Sequence, residues 1–265
     1  MDYIILDIEF NGRKFASDLP MEVIEIGAVR LDASLQHIDE FSALIKPVYF
    51  SKLNAFIKKK TGIPQEDIDD AAGFRKVIAD FLDWLGRSEE LILVTWGGED
   101  LKRIVFDTRM HKLDDAYWMA ANYFDLLKGF TRFKKVTNDV SVEAALVDLN
   151  IVAEGSAHRA LDDARMTAEV FRAIFTELDL DRKQQYVDMY TNAKERRLIK
   201  TAVKTIHMQK VVPTWELFVE KYFADKIEAA DAKKIAEMQT LFAAEVAKGV
   251  PPAKAAGNSV PTQSQ

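Results

Sequence analysis

Near residue 47 the hydrophobic pattern changes period, and that change constrains the fold more than any other feature of the chain. Before it lie three β-rich apolar runs, Tyr3 to Glu9, Val23 to Leu31 and Ile38 to Ile45, the last two joined by a polar turn around Asp32-Ala33-Ser34. Such runs read as antiparallel neighbours in a meander. Pro47 ends the third, because proline cannot donate to a sheet ladder. Beyond it the apolar residues recur at helical spacing. Leu53, Phe56 and Ile57 lie on a helix closed by Lys58-Lys59-Lys60 and Thr61-Gly62, and Phe74, Val77, Ile78, Phe81, Leu82 and Leu85 form an amphipathic stripe ended by Gly86. Leu91 to Val94 is a short apolar run of the kind buried in a sheet. Leu101, Ile104 and Val105 begin another helix, and Tyr123 to Leu127 is a strand running into a short helix. Val142 to Leu149 and Leu161 to Leu178 then read as helices. The order βββαβαβα predicts a mixed five-stranded α/β sheet with helices on its faces.

Past residue 180 no strand signal remains. Residues 182–209 and 214–247 read as helices parted by Val211-Val212-Pro213, and from Gly249 the chain has the Pro/Gly/Ser/Asn/Gln composition of a disordered tail. The expected division is an α/β domain over 1–180, a helical extension over 181–248 and a tail over 249–265.

At 48% hydrophobic and 29% charged residues, the composition excludes a wholly disordered or fibrous chain. No apolar run approaches the ~20 residues that span a bilayer, and the opening lacks a basic-then-apolar leader. Cysteine is absent, which rules out disulfides and thiolate metal sites and suits a reducing compartment. The expectation is a cytoplasmic protein with no membrane partner. The net charge of −6 is unevenly spread: residues 1–180 carry 22 Lys+Arg against 32 Asp+Glu, and residues 181–265 carry 14 against 10. An acidic body with a basic arm suits carboxylates that bind metal beside a surface that binds phosphate, although solvated helices are often charged on one face too.

Four acids and a histidine stand where strands end or helices begin. Asp7 and Glu9 are two apart, so in a strand they face the same side with Cα atoms roughly 6–7 Å apart, close enough to grip the same cations. Asp100 follows Thr95-Trp96-Gly97-Gly98-Glu99, a buried strand turning sharply into a helix. Asp162 and Asp163 open another helix. Acids in a first helical turn are favoured by the helix dipole with or without a metal. His158 has no such structural reason, since it precedes the helix in a Gly-Ser-Ala loop, beside the other candidate ligands.

Taken in order, Asp7-x-Glu9, Asp100 and His158-x-Ala160-x-x-Asp163 resemble the three motifs of the DEDDh 3'→5' exonucleases, a DnaQ-like group with a ribonuclease H-like fold. The resemblance covers about residues 1–178. The Glu22-Val-Ile-Glu-Ile-Gly27 strand and the Thr61-Gly62-Ile63 segment fit it, and the Asp-x-Glu-Phe opening, the Lys46-Pro47 turn and Trp96-Gly97 resemble the ERI-type RNA-exonuclease branch. A variant of the family carries tyrosine four positions before the last aspartate. That position here is Arg159 and histidine stands five before, which is the histidine class. Many relatives have threonine after the first motif, where this chain has Phe10-Asn11-Gly12.

The resemblance implies hydrolysis of terminal phosphodiesters, two Mg²⁺ or Mn²⁺ ions held by Asp7, Glu9, Asp100 and Asp163, catalytic roles for His158 and Glu9, and single-stranded 3' ends as the partner. His158 is the expected general base, its reference pKa of ~6.5 leaving it neutral yet basic near neutral pH. Phe10, Asn11, Thr61 and Ile63 are the expected substrate contacts. Two readings of Phe10 stand side by side: stacking beside the terminal base, or packing as a strand-end residue. Thr61 and Ile63 read equally as a helix C-cap, with Gly62 supplying the positive φ. Lys58-Lys59-Lys60, Arg132 with Lys134-Lys135, and the 182–210 arm are candidate phosphate contacts. Tyr186 and Tyr190 in that arm read better as packing residues than as base-stacking ones. A non-catalytic regulator on the same fold would be expected to have lost an acid or the histidine. A ribonuclease H-type or transposase-like nuclease would lack the His-x-Ala-x-x-Asp ending.

Overall fold

The computed structural model describes residues 1–12, 21–152, 158–227 and 230–249. The expected tail, Gly249 apart, lies outside them. The chain divides into two compact units, Met1–Tyr186 and Val187–Gln265.

The first unit is built on strands β1 (Asp2–Asn11), β2 (Glu22–Leu31), β3 (His37–Leu44), β4 (Leu91–Thr95), β5 (Asn122–Asp125) and β6 (Gln184–Gln185). Its helices are α1 (Ala55–Thr61), α2 (Gln65–Asp70), α3 (Phe74–Leu85), α4 (Glu99–Met110), α5 (Ala116–Ala120), α6 (Leu126–Lys134), α7 (Val142–Asp148) and α8 (Ala160–Ile174). The strands form one mixed sheet in the order β3-β2-β1-β4-β5-β6. The meander is there: β1 pairs antiparallel with β2, and β2 with β3. The crossovers then lay β4 parallel to β1 and β5 parallel to β4.

The sheet has six strands where five were expected. Gln184 and Gln185 carry no apolar alternation, so the pairing leaves no hydrophobic trace. Their amides hold the strand instead, donating to the Tyr123 hydroxyl at 2.7 Å and the Ala120 carbonyl at 3.0 Å. The short helices α2 and α5, six and five residues, are too brief to leave a clear period.

Strand alternation splits the core in two. Ile4, Leu6 and Ile8 of β1 pack with Phe74, Phe81 and Trp84 of α3 and with Leu101, Ile104 and Val105 of α4. Tyr3 and Ile5 face the other way, against Phe171 and Val170 of α8 and Phe130 of α6. Phe81 and Phe171 are fully buried, and truncating such a side chain to alanine costs about 3–5 kcal/mol. Tyr186 closes the first of these cores, so it packs rather than stacks on a ligand.

The second unit is helical: α9 (Ala193–Met208), α10 (Trp215–Phe218), a π-turn over Val219–Phe223, α11 (Ala224–Ile227) and α12 (Ala232–Gly249). Helix α9 starts eleven residues later than the expected helix over 182–209. Asn192 and Glu195 form a reciprocal capping box there, which fixes its start at Ala193. Ile199, Ala202 and Val203 of α9 pack with Phe218, Phe223, Met238 and Phe242, while Trp215, Tyr222 and Ile227 lie against that cluster. The apolar side chains of 214–247 thus build a core for their own unit. Among the described residues no helix is long and apolar enough to cross a membrane.

Candidate active site

Odd-numbered residues of β1 share one face. Tyr3 and Ile5 use it to pack under α8, and Asp7 and Glu9 continue the same face toward the strand's end, where apolar side chains give way to acids. Helix α8 must therefore lie close for its own acids to meet them. Gly27 of β2, the register partner of Asp7, makes that possible. A Cβ on Gly27 would sit 2.1 Å from the Leu161 nitrogen and 2.2 Å from the Ala160 carbonyl carbon, so only glycine admits the helix.

Glu25, opposite Glu9 in the register and 1% exposed, ties down the helix start. Its carboxylate accepts from the Ala160 N–H at 3.1 Å and from the Arg159 guanidinium at 2.8 and 3.1 Å. A negative group there also meets the positive end of the α8 dipole. Just before the helix, His158 holds a left-handed φ of 71°, a conformation costing roughly 1–2 kcal/mol for a residue with a Cβ. Its N–H points at both Asp163 carboxylate oxygens, at 3.1 and 3.3 Å.

The third acid arrives from the other neighbour of β1. Parallel pairing of Ile5 with Val94 brings the end of β4 beside the Asp7 segment. Gly97, at φ 99°, turns the chain there, and Asp100 falls in the first turn of α4.

The electrostatics record this convergence. The Asp7 carboxyl is pushed well above the usual carboxylate range, first by burial and then by Asp100, Asp163 and Glu9. Glu9 is 4% exposed, and burial raises it to about 7 against the pull of Lys60. Asp100 is raised by burial despite hydrogen bonds from the backbone N–H groups of Asp100 and Ile8. Asp163 is also raised by burial, with His158 opposing. Glu9, His158 and Asp163 each offer a ligand atom, and the three lie within 4.8 Å of one another. The donors are carboxylate oxygens and one imidazole nitrogen, and hard divalent cations take oxygen ligands. Such a cation would offset both the burial and the mutual repulsion that hold these acids high. The residues therefore fit a divalent cation.

The β1–β2 ladder shifts register between Glu9 and Phe10, the kind of bulge that re-aims side chains beside sites. Phe10 is half-buried against the α3–α4 core, with the Arg103 guanidinium 5.2 Å from its ring centre. Asn11 spends its polar atoms on a tether: it donates to the Phe50 and Lys52 carbonyls and accepts from the Asn54 N–H. This holds the segment entering α1. Thr61 donates to the Ile57 carbonyl and accepts from the Ile63 N–H, and Gly62 caps α1 at φ 68°. Ile63 is buried with Ile24, Leu53, Ile57 and Ile68.

Three contributors escape a sequence reading of the site. Lys60, expected only as a phosphate contact, reaches both Glu9 oxygens at 3.4 Å. Glu25 has a visible signal, an acid inside an otherwise apolar strand, but its partner lies 134 residues away. Arg103 has none, because its place over Phe10 depends on α4 packing against β1.

Comparison with known proteins agrees with this architecture. A DNA polymerase III PolC-type protein of Thermotoga maritima is 31% identical over 173 residues, 64% of this chain and 11% of that protein. A 3'-5' exoribonuclease 1 of Homo sapiens is 26% identical over 180 residues, 64% of this chain and 51% of that protein. The chain thus spans about half or less of either relative. The nuclease domain of 3'hExo, a DEDDh family member bound to rAMP, superposes with a TM-score of 0.62 at 23% identity, covering 70% of this chain and 97% of that one. The Mg²⁺- and Mn²⁺-bound form of Pop2p from S. pombe gives 0.54 at 18% identity, covering 69% and 89%. At such identities the structural likeness is one of fold. The Exonuclease family model matches residues 4–171, from the first strand through most of the helix bearing Asp163. Because that span contains the whole acidic strand edge and the elements that assemble it, the chain belongs to the Exonuclease family.

Proposed function

We propose that this protein is a divalent-cation-dependent 3'→5' exonuclease that releases nucleoside monophosphates from single-stranded ends, RNA in preference to DNA. The observation that carries the reading is the meeting of Glu9, His158 and Asp163 within 4.8 Å on the edge that also bears Asp7. Asp7, Glu9, Asp100 and Asp163 would hold two Mg²⁺ or Mn²⁺ ions. Such ions, when bound, neutralise charge on the scissile phosphate and make water a better nucleophile near neutral pH.

The protein's own groups do the rest. His158 accepts the proton of the attacking water, and its N–H to Asp163 fixes where the imidazole starts from. Phe10 flanks the terminal base, with the Arg103 guanidinium near its ring. Asn11 positions α1, and the Thr61–Ile63 turn closes the same side. Lys60 balances Glu9 and stands ready to pair with a phosphate when substrate enters. The preference for RNA follows the exoribonuclease relatives. The Asp-x-Glu-Phe opening, the Lys46-Pro47 turn and Trp96-Gly97 resemble the ERI-type branch and the bacterial KinA-pathway sporulation inhibitor, and we assign the chain there.

The test is degradation of 3'- and 5'-labelled RNA and DNA strands with Mg²⁺, Mn²⁺ or EDTA. Mononucleotides released from the 3' end, faster from RNA and silenced by EDTA, are expected. Internal fragments would make the protein an endonuclease, and binding without cleavage in any metal would make it a regulator on this fold.

A further inference from the structure

Some exposed cations of the first unit are matched to acids, such as Lys76 with Asp80, Arg87 with Asp39 and Arg165 with Glu40, while others, such as Lys52 and Lys112, form no ion pair among the described residues. Helix α9 of the second unit gathers its cations along one element. It carries Lys194, Arg196, Arg197, Lys200 and Lys204 against the single acid Glu195. That acid is occupied, closing the capping box at Asn192 and pairing with Lys234 at 3.1 Å. Arg196 turns back to the Thr191 carbonyl. Lys194, Arg197, Lys200 and Lys204 are exposed, and among the described residues none of the four forms an ion pair.

At 3.6 residues per turn these four fall within about 120° of arc and along about 15 Å of helix. The opposite face buries Ile199, Ala202, Val203 and Ile206. Packing therefore holds the helix with its cations outward. In a chain of net charge −6, a row of unmatched cations set 4.5–6 Å apart along the axis suits a polyanion whose charges repeat along a line. A membrane surface fits less well, since interfacial helices bury an exposed apolar face in lipid and the apolar face of α9 is already spent on the core of its unit.

We propose that the outward face of α9 is a second nucleic-acid contact, where Arg197, Lys200 and Lys204, flanked by Lys194, hold the phosphate backbone of a single strand. The polyanion is taken from the exonuclease reading above, but the contact itself involves no residue of that site. It supplies affinity without sequence choice, as phosphate contacts do.

The experiment compares the full chain with the triple variant Arg197→Gln/Lys200→Gln/Lys204→Gln and the charge-keeping triple Arg197→Lys/Lys200→Arg/Lys204→Arg. Binding of a fluorescein-labelled 20-nucleotide oligouridylate is followed by anisotropy in EDTA from 50 to 200 mM NaCl. With about 0.7 unit of log–log salt slope per phosphate neutralised, the Gln triple should lose about two units of slope and bind at least tenfold more weakly at 50 mM. The charge-keeping triple should match wild type. An unchanged slope in the Gln triple overturns the proposal. So does charge-dependent binding to phosphatidylserine vesicles with none to the oligonucleotide, which would make the face a membrane contact. Dinucleotide hydrolysis, measured alongside with Mn²⁺, reports on the acidic site alone. If it is absent from wild type while the slopes differ as expected, the exonuclease reading fails and the α9 contact stands.

Discussion

At the scale of single residues the site is governed by carboxyl groups crowded together out of water. Asp7, Glu9, Asp100 and Asp163 are all held above the ordinary carboxylate range by burial, with Lys60 and His158 as opposing groups. Mn²⁺ should raise the melting temperature of the wild-type protein and of His158→Ala alike. The His158→Ala variant should lose about 10²–10⁴-fold in turnover, the usual worth of a general base. Asp163→Asn should lose both the thermal shift and the turnover. Calorimetry alongside 3'-end release checks this, and an Asp163→Asn protein as active as wild type would defeat the assignment.

Asp107, 1% exposed, lies apart from the motif acids. Its Oδ2 accepts from the Val23 N–H at 2.7 Å, while its Oδ1 has no hydrogen-bond partner among the described residues. Burial raises it to about 7, so the folded state binds its proton more tightly than the unfolded state does. Stability from this group is full below about pH 4 and falls as pH rises to about 7, by on the order of 4 kcal/mol. Asp107→Asn should flatten that fall in a series of melting temperatures from pH 4 to 8. An unchanged slope would show that Asp107 ionises as easily folded as unfolded.

At the scale of elements, one helix decides whether the motifs meet. Helix α8 carries Asp163, and its first turn is pressed against Gly27 and tied to Glu25. A methyl group at Gly27 has backbone on its far side, which cannot yield as a flexible side chain would. Gly27→Ala should therefore push α8 and its Asp163 outward, lower stability by about 3 kcal/mol or more, and reduce turnover at least 100-fold although no motif residue is substituted. Chemical denaturation and 3'-end release measure the two effects, and an active, stable Gly27→Ala protein would mean that α8 can slide without cost. The sequence did carry parts of this: the amphipathic stripe of α3, the glycine closing α1 at φ 68° and the acids opening α4 and α8 all follow from local chemistry. Strand β6 did not, because two glutamines with side-chain tethers leave no periodic trace.

For the molecule as a whole, the boundary between units matters most. We propose that Met1–Tyr186 is the exonuclease domain and that the helices beyond it are a separate extension. Each unit has its own apolar cluster, and the family match ends at residue 171. A fragment of residues 1–186, which keeps β6 and Tyr186, should unfold in one cooperative transition and hydrolyse a dinucleotide within about threefold of the full chain. A fragment that failed to fold would show that the second unit is needed for the first.

The alternation of β1 and the helical spacing after Pro47 were determined along the chain, because side-chain direction repeats every two or 3.6 residues whatever surrounds it. The spacing of Asp7 and Glu9 and the acid–histidine order across 1–163 were written there too. Only the tertiary structure decided that these groups meet, that Lys60 and not solvent faces Glu9, that Glu25 anchors a helix 134 residues away, and that Arg103 covers Phe10. Each of those depends on how closely two distant segments approach. That distance is set by a missing Cβ at Gly27 and by the packing of α4 and α8 on opposite faces of one strand.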